Sequence, residues 1–196
     1  MKYVIISQPK SGTYLCVNLL SELKINPSWM HFTSTGFVKF NPRNIHKEKL
    51  YGPDKAVYRP ITRTASLITD NYFSQGHIEY NPITEKSLKD FKKILLTRDK
   101  QECIESLNRM REQTKRQDLS EAAFPIDNLA KLRNGVAGWQ GTENTFNLSF
   151  NDMININLTK LDKLQQFLFD GDVRHNSKVC MENALKNNSI TKSNLR

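Results

Sequence analysis

No stretch of the 196 residues comes near the roughly 18 consecutive apolar residues of a membrane-spanning helix, so no transmembrane segment is expected. No basic-then-apolar leader precedes the first strand-like run, which is read as no signal peptide. Cysteine is scarce and odd in number: Cys16, Cys103 and Cys180, widely spaced. That pattern argues against a disulfide framework or a metal site. It predicts buried, reduced thiols in a cytoplasmic protein with no metal. Also lacking is any long block of Lys and Arg, or basic residues interleaved with aromatics in the way of single-strand binders. The net charge of +9 points to an anionic partner, but its dispersal argues against nucleic acid. A small polyanionic ligand or an acidic acceptor fits better. What is present is ordinary: 38% apolar and 25% charged residues, enough chain for one soluble domain over 1–196.

The chain is organised around residues 3–23. Tyr3 to Ile6 is short, apolar and partly β-branched, and reads as a buried strand. Pro9 and Gly12 punctuate the segment from Ser7 to Thr13 into a loop. Leu15, Leu19, Leu20 and Leu23 then recur at helical spacing. Strand, tight loop and helix N-terminus make an anion site, because the first helical turn leaves N–H groups unpaired and carries partial positive charge. Gly12 lets the backbone approach closely, Lys10 adds a full charge, and Ser11 and Thr13 add hydroxyls. The alternative is a plain strand–turn–helix with an exposed lysine. The nucleotide-triphosphatase loop is absent: Lys10 precedes Gly12, and Ser7 stands where its first glycine belongs.

Residues 24–55 carry turn markers at Asn26-Pro27, Asn41-Pro42 and Gly52-Pro53, with Trp29, Phe32, Phe37 and Phe40 scattered among polar residues. They read as loop, and His31 and His46 as surface histidines. A short strand is predicted over 54–59, ending at Pro60, and a helix from about Arg63 to Phe73. Gly76 and Pro82 bracket a loop containing His77, which is either a loop histidine without a task or a base for an alcohol or phenol. Lys92 to Thr97, apolar and bounded by charge, is the clearest second strand, followed at its C-terminal end by Arg98. A helix is predicted over about 100–115, with Cys103, Ile104, Leu107 and Met110 on one face. Residues 111–128 read as exposed. Further elements are a helix over 126–139, a strand over 145–150, an amphipathic helix from Ile154 to Leu168 and a short helix over about 178–186.

Three features, in order, bear a likeness to one family. Pro9-Lys10-Ser11-Gly12-Thr13 resembles the 5′-phosphosulfate loop of the sulfotransferases, Pro-Lys-Ser-Gly-Thr-Thr-Trp, departing at Tyr14 and Leu15. Gly76-His77 is similar to the Gly-His or Thr-His that carries the family's base, with Glu79 as the rival base. Arg98, Asp99 and Ser106 resemble the 3′-phosphate motif, Arg-Asp-Pro-Arg-Asp-Val-x-x-Ser, with Lys100, Gln101 and Glu102 departing from it. Phe150-Asn151-Asp152-Met153 is similar to a diverged Tyr-Glu-Asp-Leu, read as architecture. The family's late Arg-Lys-Gly segment has no match here, and Lys186, Lys192 and Arg196 are the candidates to stand in for it.

The resemblance implies an α/β fold with a mostly parallel central sheet flanked by helices on both faces. It implies sulfuryl transfer from 3′-phosphoadenosine 5′-phosphosulfate (PAPS) to a hydroxyl or amine of a small-molecule or glycan acceptor. His77 would be the base and Lys10 would stabilise charge on the bridging oxygen. Lys10, Ser11, Gly12, Thr13 and Tyr14 would hold the 5′-phosphate, and Arg98 and Ser106 the 3′-phosphate, with no metal required. A nucleotide-binding small-molecule kinase and a catalytically idle relative are the alternatives.

Overall fold

In the computed structural model, which describes residues 1–40, 57–114 and 120–188, the N-terminal apolar run is the middle of a sheet. Strand β1 (Lys2–Ser7) is buried from Tyr3 onward because it has a parallel neighbour on each side. The neighbours are β5 (Tyr72–Gly76) and β6 (Phe91–Thr97). Outside them lie β2 (Asn26–Phe32) and β7 (Thr145–Ser149), also parallel. Two antiparallel strands, β3 (Phe37–Phe40) and β4 (Val57–Pro60), finish one side. The order of the seven strands is β4-β3-β2-β5-β1-β6-β7.

The alternation of side chains along each strand divides the core in two. One cluster joins Ile5, Leu96 and Leu148 to α1 (Thr13–Glu22), α7 (Leu158–Leu168) and α8 (Ser177–Asn187) through Leu19, Leu164 and Met181. The other joins Val4, Ile6, Phe32 and Val38 to Ile61 of α2 (Ile61–Thr64) and Val136 of α5 (Ile126–Ala137). Trp139, fully buried there, donates its indole N–H to the Ile78 carbonyl. The helix α4 (Lys100–Thr114) meets α5 through Cys103, Leu107 and Leu129. The short helices α3 (Pro82–Ser87) and α6 (Phe150–Ile154) complete the described elements. The mostly parallel sheet with helices on both faces is as expected, and all three thiols are free and buried.

Four local expectations are corrected. Residues 26–32 and 37–40 are strands rather than loop; the buried members of β2 are Ser28, Met30 and Phe32, a period of two obscured by Pro27 and by a bulge. At that bulge Trp29 takes a positive φ of 62°, an uncommon backbone state for a bulky residue. The helix expected from Arg63 to Phe73 stops early: α2 gives way to a 3₁₀ turn (Ala65–Leu67), and Phe73 and Ser74 are buried in β5. A helical spacing of apolar residues there crossed a helix–strand boundary. The helix from Ile154 to Leu168 is two, broken at Ile156 (φ 49°) and restarted by Asn157, whose side chain accepts from the Lys160 N–H. Phe150 starts α6 instead of ending a strand, because Ser149 and Asp152 form a capping box there.

Lys92 and Lys93, expected to bound β6, are buried within it. The Lys92 amine reaches the Asp170 carboxylate (2.6 Å), and the Lys93 amine reaches the carbonyls of Leu88 and Phe91. As neighbours on one strand they project to opposite faces of the sheet, and their aliphatic stems carry the amines out to these acceptors. His46, Lys192 and Arg196 lie outside the described residues.

Candidate active site

Four neighbouring parallel strands deliver their next residues to one rim. After β1 comes the loop 8–12, after β5 His77, after β6 Arg98 and after β7 Phe150. The chain reverses direction across the sheet here: β1 connects outward through α1 to β2, and β5 connects to β6 on the far side of β1. Open α/β sheets bind ligands at such a switch point, beyond the carboxyl ends of strands.

The loop after β1 is tight. Ser11 donates both its N–H (3.2 Å) and its hydroxyl (2.6 Å) to the Gln8 carbonyl. Lys10 and Gly12 have positive φ of 63° and 90°. Gly12 is required twice over, since a Cβ there would meet Cδ2 of Phe150 at 2.5 Å. No side chain caps α1 and its first turn holds no acidic residue, so its leading N–H groups have no side-chain acceptor among the described residues. The Lys10 ammonium rests against the Met110 sulfur of α4.

His77 is held at the end of β1. Its Nδ1 lies 2.8 Å from the Ser7 carbonyl and 3.2 Å from the Ser7 hydroxyl. A carbonyl only accepts, so Nδ1 carries the proton and Nε2 presents its lone pair. Thr13 donates its hydroxyl to Ser7 Oγ (2.8 Å), which links the start of α1 to the same group. Burial holds the His77 pKa below its ordinary value; the Ser7 bond opposes that, and the Lys10 charge adds to it. The imidazole is therefore neutral at neutral pH, as a base must be.

Arg98 is gripped on three sides. Its Nε donates to the Glu102 carboxylate (2.9 Å), its Nη1 donates to the Lys10 carbonyl (3.3 Å), and its Cζ sits 3.9 Å above the centre of the Phe150 ring. The bond to Lys10 joins the strand-end arginine to the loop. Of the five guanidinium donors, one on Nη1 and both on Nη2 remain for an anion. Asp99 caps α4, taking the N–H groups of Gln101 and Glu102 on Oδ1, and these backbone bonds, that of Glu102 foremost, lower its pKa. Ser106 is half-buried, two turns along that helix.

Lys10, Ser11, Gly12, Thr13, His77 and Arg98 thus share one rim, connected through Ser7 and the Lys10 carbonyl. Tyr14 is 58% exposed at the start of α1 and joins none of these bonds. The rival base Glu79 turns the other way: its side chain lies against Gly135 of α5, where an added Cβ would come within 2.6 Å.

His31, read from the sequence as a surface residue, is a neighbour of His77. Its ring stands edge-on to that of His77, centroids 6.3 Å apart. Burial first, then His77 and Lys39, lower its pKa to about 4. In register it pairs with Gln75, two residues before His77. The available signal was the period-two burial of Ser28, Met30 and Phe32, which places His31 on the opposite side of β2 from them. Phe150 was likewise read only as architecture.

Two solved structures resemble this chain throughout. Mouse sulfotransferase SULT7A1 complexed with PAP matches over all of this chain and 66% of its own, with 14% identity and a TM-score of 0.59. Retinol dehydratase, in complex with androsterone and inactive cofactor PAP, matches 96% of this chain and 66% of its own, with 13% identity and a TM-score of 0.58. The fold is sulfotransferase-like. This sulfotransferase-like chain spans 66% of the length of each of those structures. No protein-family model matches it, nor does any curated protein.

Proposed function

We propose that this chain transfers a sulfuryl group from PAPS to a hydroxyl or amine of a small-molecule or glycan acceptor. The observation that carries the reading is the convergence of Lys10, His77 and Arg98 directly after three adjacent parallel strands. Both structural neighbours hold PAP, the desulfated product of that donor, which supports a nucleotide at this rim. The residues present suit such a ligand. The uncapped start of α1 is flanked by Lys10 and Gly12 in left-handed backbone states and carries no acidic side chain in its first turn. Arg98 keeps donors available on the same rim.

When bound, the donor supplies the sulfuryl group and a bisphosphate leaving group. The N–H groups of Gly12 and Thr13, with Tyr14 continuing the turn, hold the 5′-phosphate, while Ser11, whose N–H and hydroxyl both go to the Gln8 carbonyl, shapes the loop that presents them. Lys10 sets a full positive charge beside it, where negative charge grows as the bond to sulfur breaks. Arg98 and Ser106 hold the 3′-phosphate, the feature that separates this ligand from ADP. His77 takes the acceptor proton on Nε2, and its Nδ1–H to the Ser7 carbonyl keeps the ring from turning. Placement and charge, rather than covalent chemistry by the protein, carry the rate, as in phosphoryl transfer.

A second reading, a nucleotide-binding relative without transfer activity, draws on the Glu102 carboxylate that occupies Arg98 Nε. The kinase reading is disfavoured because Asp99, the carboxylate it would need after an apolar strand, is engaged in capping α4. The test is calorimetric titration with adenosine 3′,5′-bisphosphate and with ADP, for the wild type and Arg98→Ala. The bisphosphate is expected to bind at least tenfold tighter, a preference that Arg98→Ala abolishes. Equal binding of the two nucleotides, or none, overturns the assignment. Bisphosphate binding without transfer to any acceptor in a screen selects the second reading.

A further inference from the structure

The geometry points to Phe150 as a positioning residue that sets the Arg98 guanidinium relative to the phosphate loop. The inference rests on the reading above only for the identity of the ligand. Phe150 touches both halves of the site. Its ring edge fills the space where Gly12 would carry a Cβ, 2.5 Å from Cδ2, and its face lies 3.9 Å beneath Arg98 Cζ. Its place is dictated locally. Ser149 pairs with Thr97 at the end of the β6–β7 ladder, so the next residue of each strand, Phe150 and Arg98, emerge side by side. The Ser149–Asp152 capping box then fixes the first turn of α6, with Ser149 Oγ 2.6 Å from Asp152 Oδ2 and accepting the Asp152 N–H at 3.0 Å.

The ring does what the polar partners of Arg98 cannot. Glu102 and the Lys10 carbonyl hold the guanidinium by its edges. A guanidinium held only by edges can still tilt about its long axis. An aromatic face beneath it removes that freedom and adds attraction to the ring quadrupole. Because the same ring abuts Gly12, the plane of the guanidinium is referenced to the loop that cradles the other phosphate. Phe150 therefore determines whether two phosphates a fixed distance apart are met together.

The test compares Phe150→Leu, which keeps apolar bulk and removes the ring, with Phe150→Tyr, which keeps the ring. Calorimetry with adenosine 3′,5′-bisphosphate and with adenosine 5′-monophosphate gives the preference for the second phosphate. Phe150→Leu is expected to lower that preference about tenfold, with monophosphate binding changed less than threefold, and Phe150→Tyr to retain it. A readout without nucleotide accompanies it. The Arg98 Nε–H cross-peak in a ¹⁵N–¹H spectrum, shielded by the ring in the wild type, should move downfield in Phe150→Leu and stay in Phe150→Tyr. An unmoved cross-peak, an unchanged preference, or a Tyr variant as impaired as the Leu variant overturns the proposal. A wild type with no preference for the bisphosphate overturns the functional reading instead, and the cross-peak then decides the role of Phe150 alone.

Discussion

Gly12→Ala is the most exacting stability test of the loop after β1, because two separable costs fall on one methyl group. The first is conformational. At φ 90° an L-residue is strained by about 1–2 kcal/mol. The second is steric. The new Cβ would stand 2.5 Å from Cδ2 and 3.0 Å from Cε2 of Phe150, and overpacking of that kind costs about 1–3 kcal/mol. Together they predict a loss of about 2–5 kcal/mol, or a fall in Tm of roughly 4–20 °C for a chain of this size. Gly141→Ala isolates the first cost, since Gly141 also has positive φ (77°) but nothing within 4 Å of an added Cβ. It should lose only about 1–2 kcal/mol. Adding Phe150→Leu to Gly12→Ala should return part of the steric share and none of the conformational share, a coupling of about 1–2 kcal/mol between contacting sites. Guanidinium denaturation followed by circular dichroism measures the wild type, the three single variants (Gly12→Ala, Gly141→Ala and Phe150→Leu) and the double variant. If Gly12→Ala is no worse than Gly141→Ala, the loop does not abut Phe150 as described.

Two further outcomes follow from the same rim. Gly76→Ala, at an extended backbone position, places its Cβ 2.0 Å from the Phe32 carbonyl oxygen of β2. No side chain can move aside, so strands must separate; a loss above about 4 kcal/mol or failure to fold is expected, read by soluble yield and circular dichroism, and a loss under about 1 kcal/mol would contradict the close approach. His31 titrates near 6.5 when unfolded and at about 4 when folded, so between those values the unfolded chain binds the extra proton. Stability should therefore fall as pH drops from 6.5 to 4, by about 2 kcal/mol after discounting its partial exposure, and His31→Asn should flatten that slope in denaturation measured across pH. Identical slopes in the two proteins would show that burial does not keep His31 neutral.

How much of this was visible in the residues depends on where the information is stored. Strands β1 and β6 and helices α1, α4 and α5 announce themselves, because an apolar run or a helical stripe is a local pattern. The loop from Pro9 to Thr13 and the strand-end Arg98 were legible for the same reason, each following an apolar strand. β2 and β5 were not. Both are central, yet Ser28, His31, Ser74 and Gln75 make them look polar; they face one another across the sheet, as in the Ser28–Ser74 hydroxyl bond of 2.5 Å. Such pairing is a property of two distant segments, and neither contains it alone. His31 was missed with its strand. The glycine of Gly76-His77 was recognised as a punctuation mark, whereas its physical reason, the Phe32 carbonyl, is tertiary. Phe150 was seen and undervalued, since nothing local says that its ring lies under Arg98.

The bonds that assemble the rim span long stretches of chain: Ser7 to His77 across 70 residues, Arg98 to Lys10 across 88. Each crosses between parallel strands, which no hairpin can bring together. Loop-closure entropy is lost before any of these contacts forms, so the rim is assembled late and slowly relative to its helices. No partly folded fragment contains it: the Lys10 carbonyl lacks Arg98 until β6 has docked on β1, and Ser7 lacks His77 until β5 has. The nucleotide binding proposed for this rim would report the completed sheet. Recovery of binding during refolding times the final docking of strands rather than the collapse that precedes it.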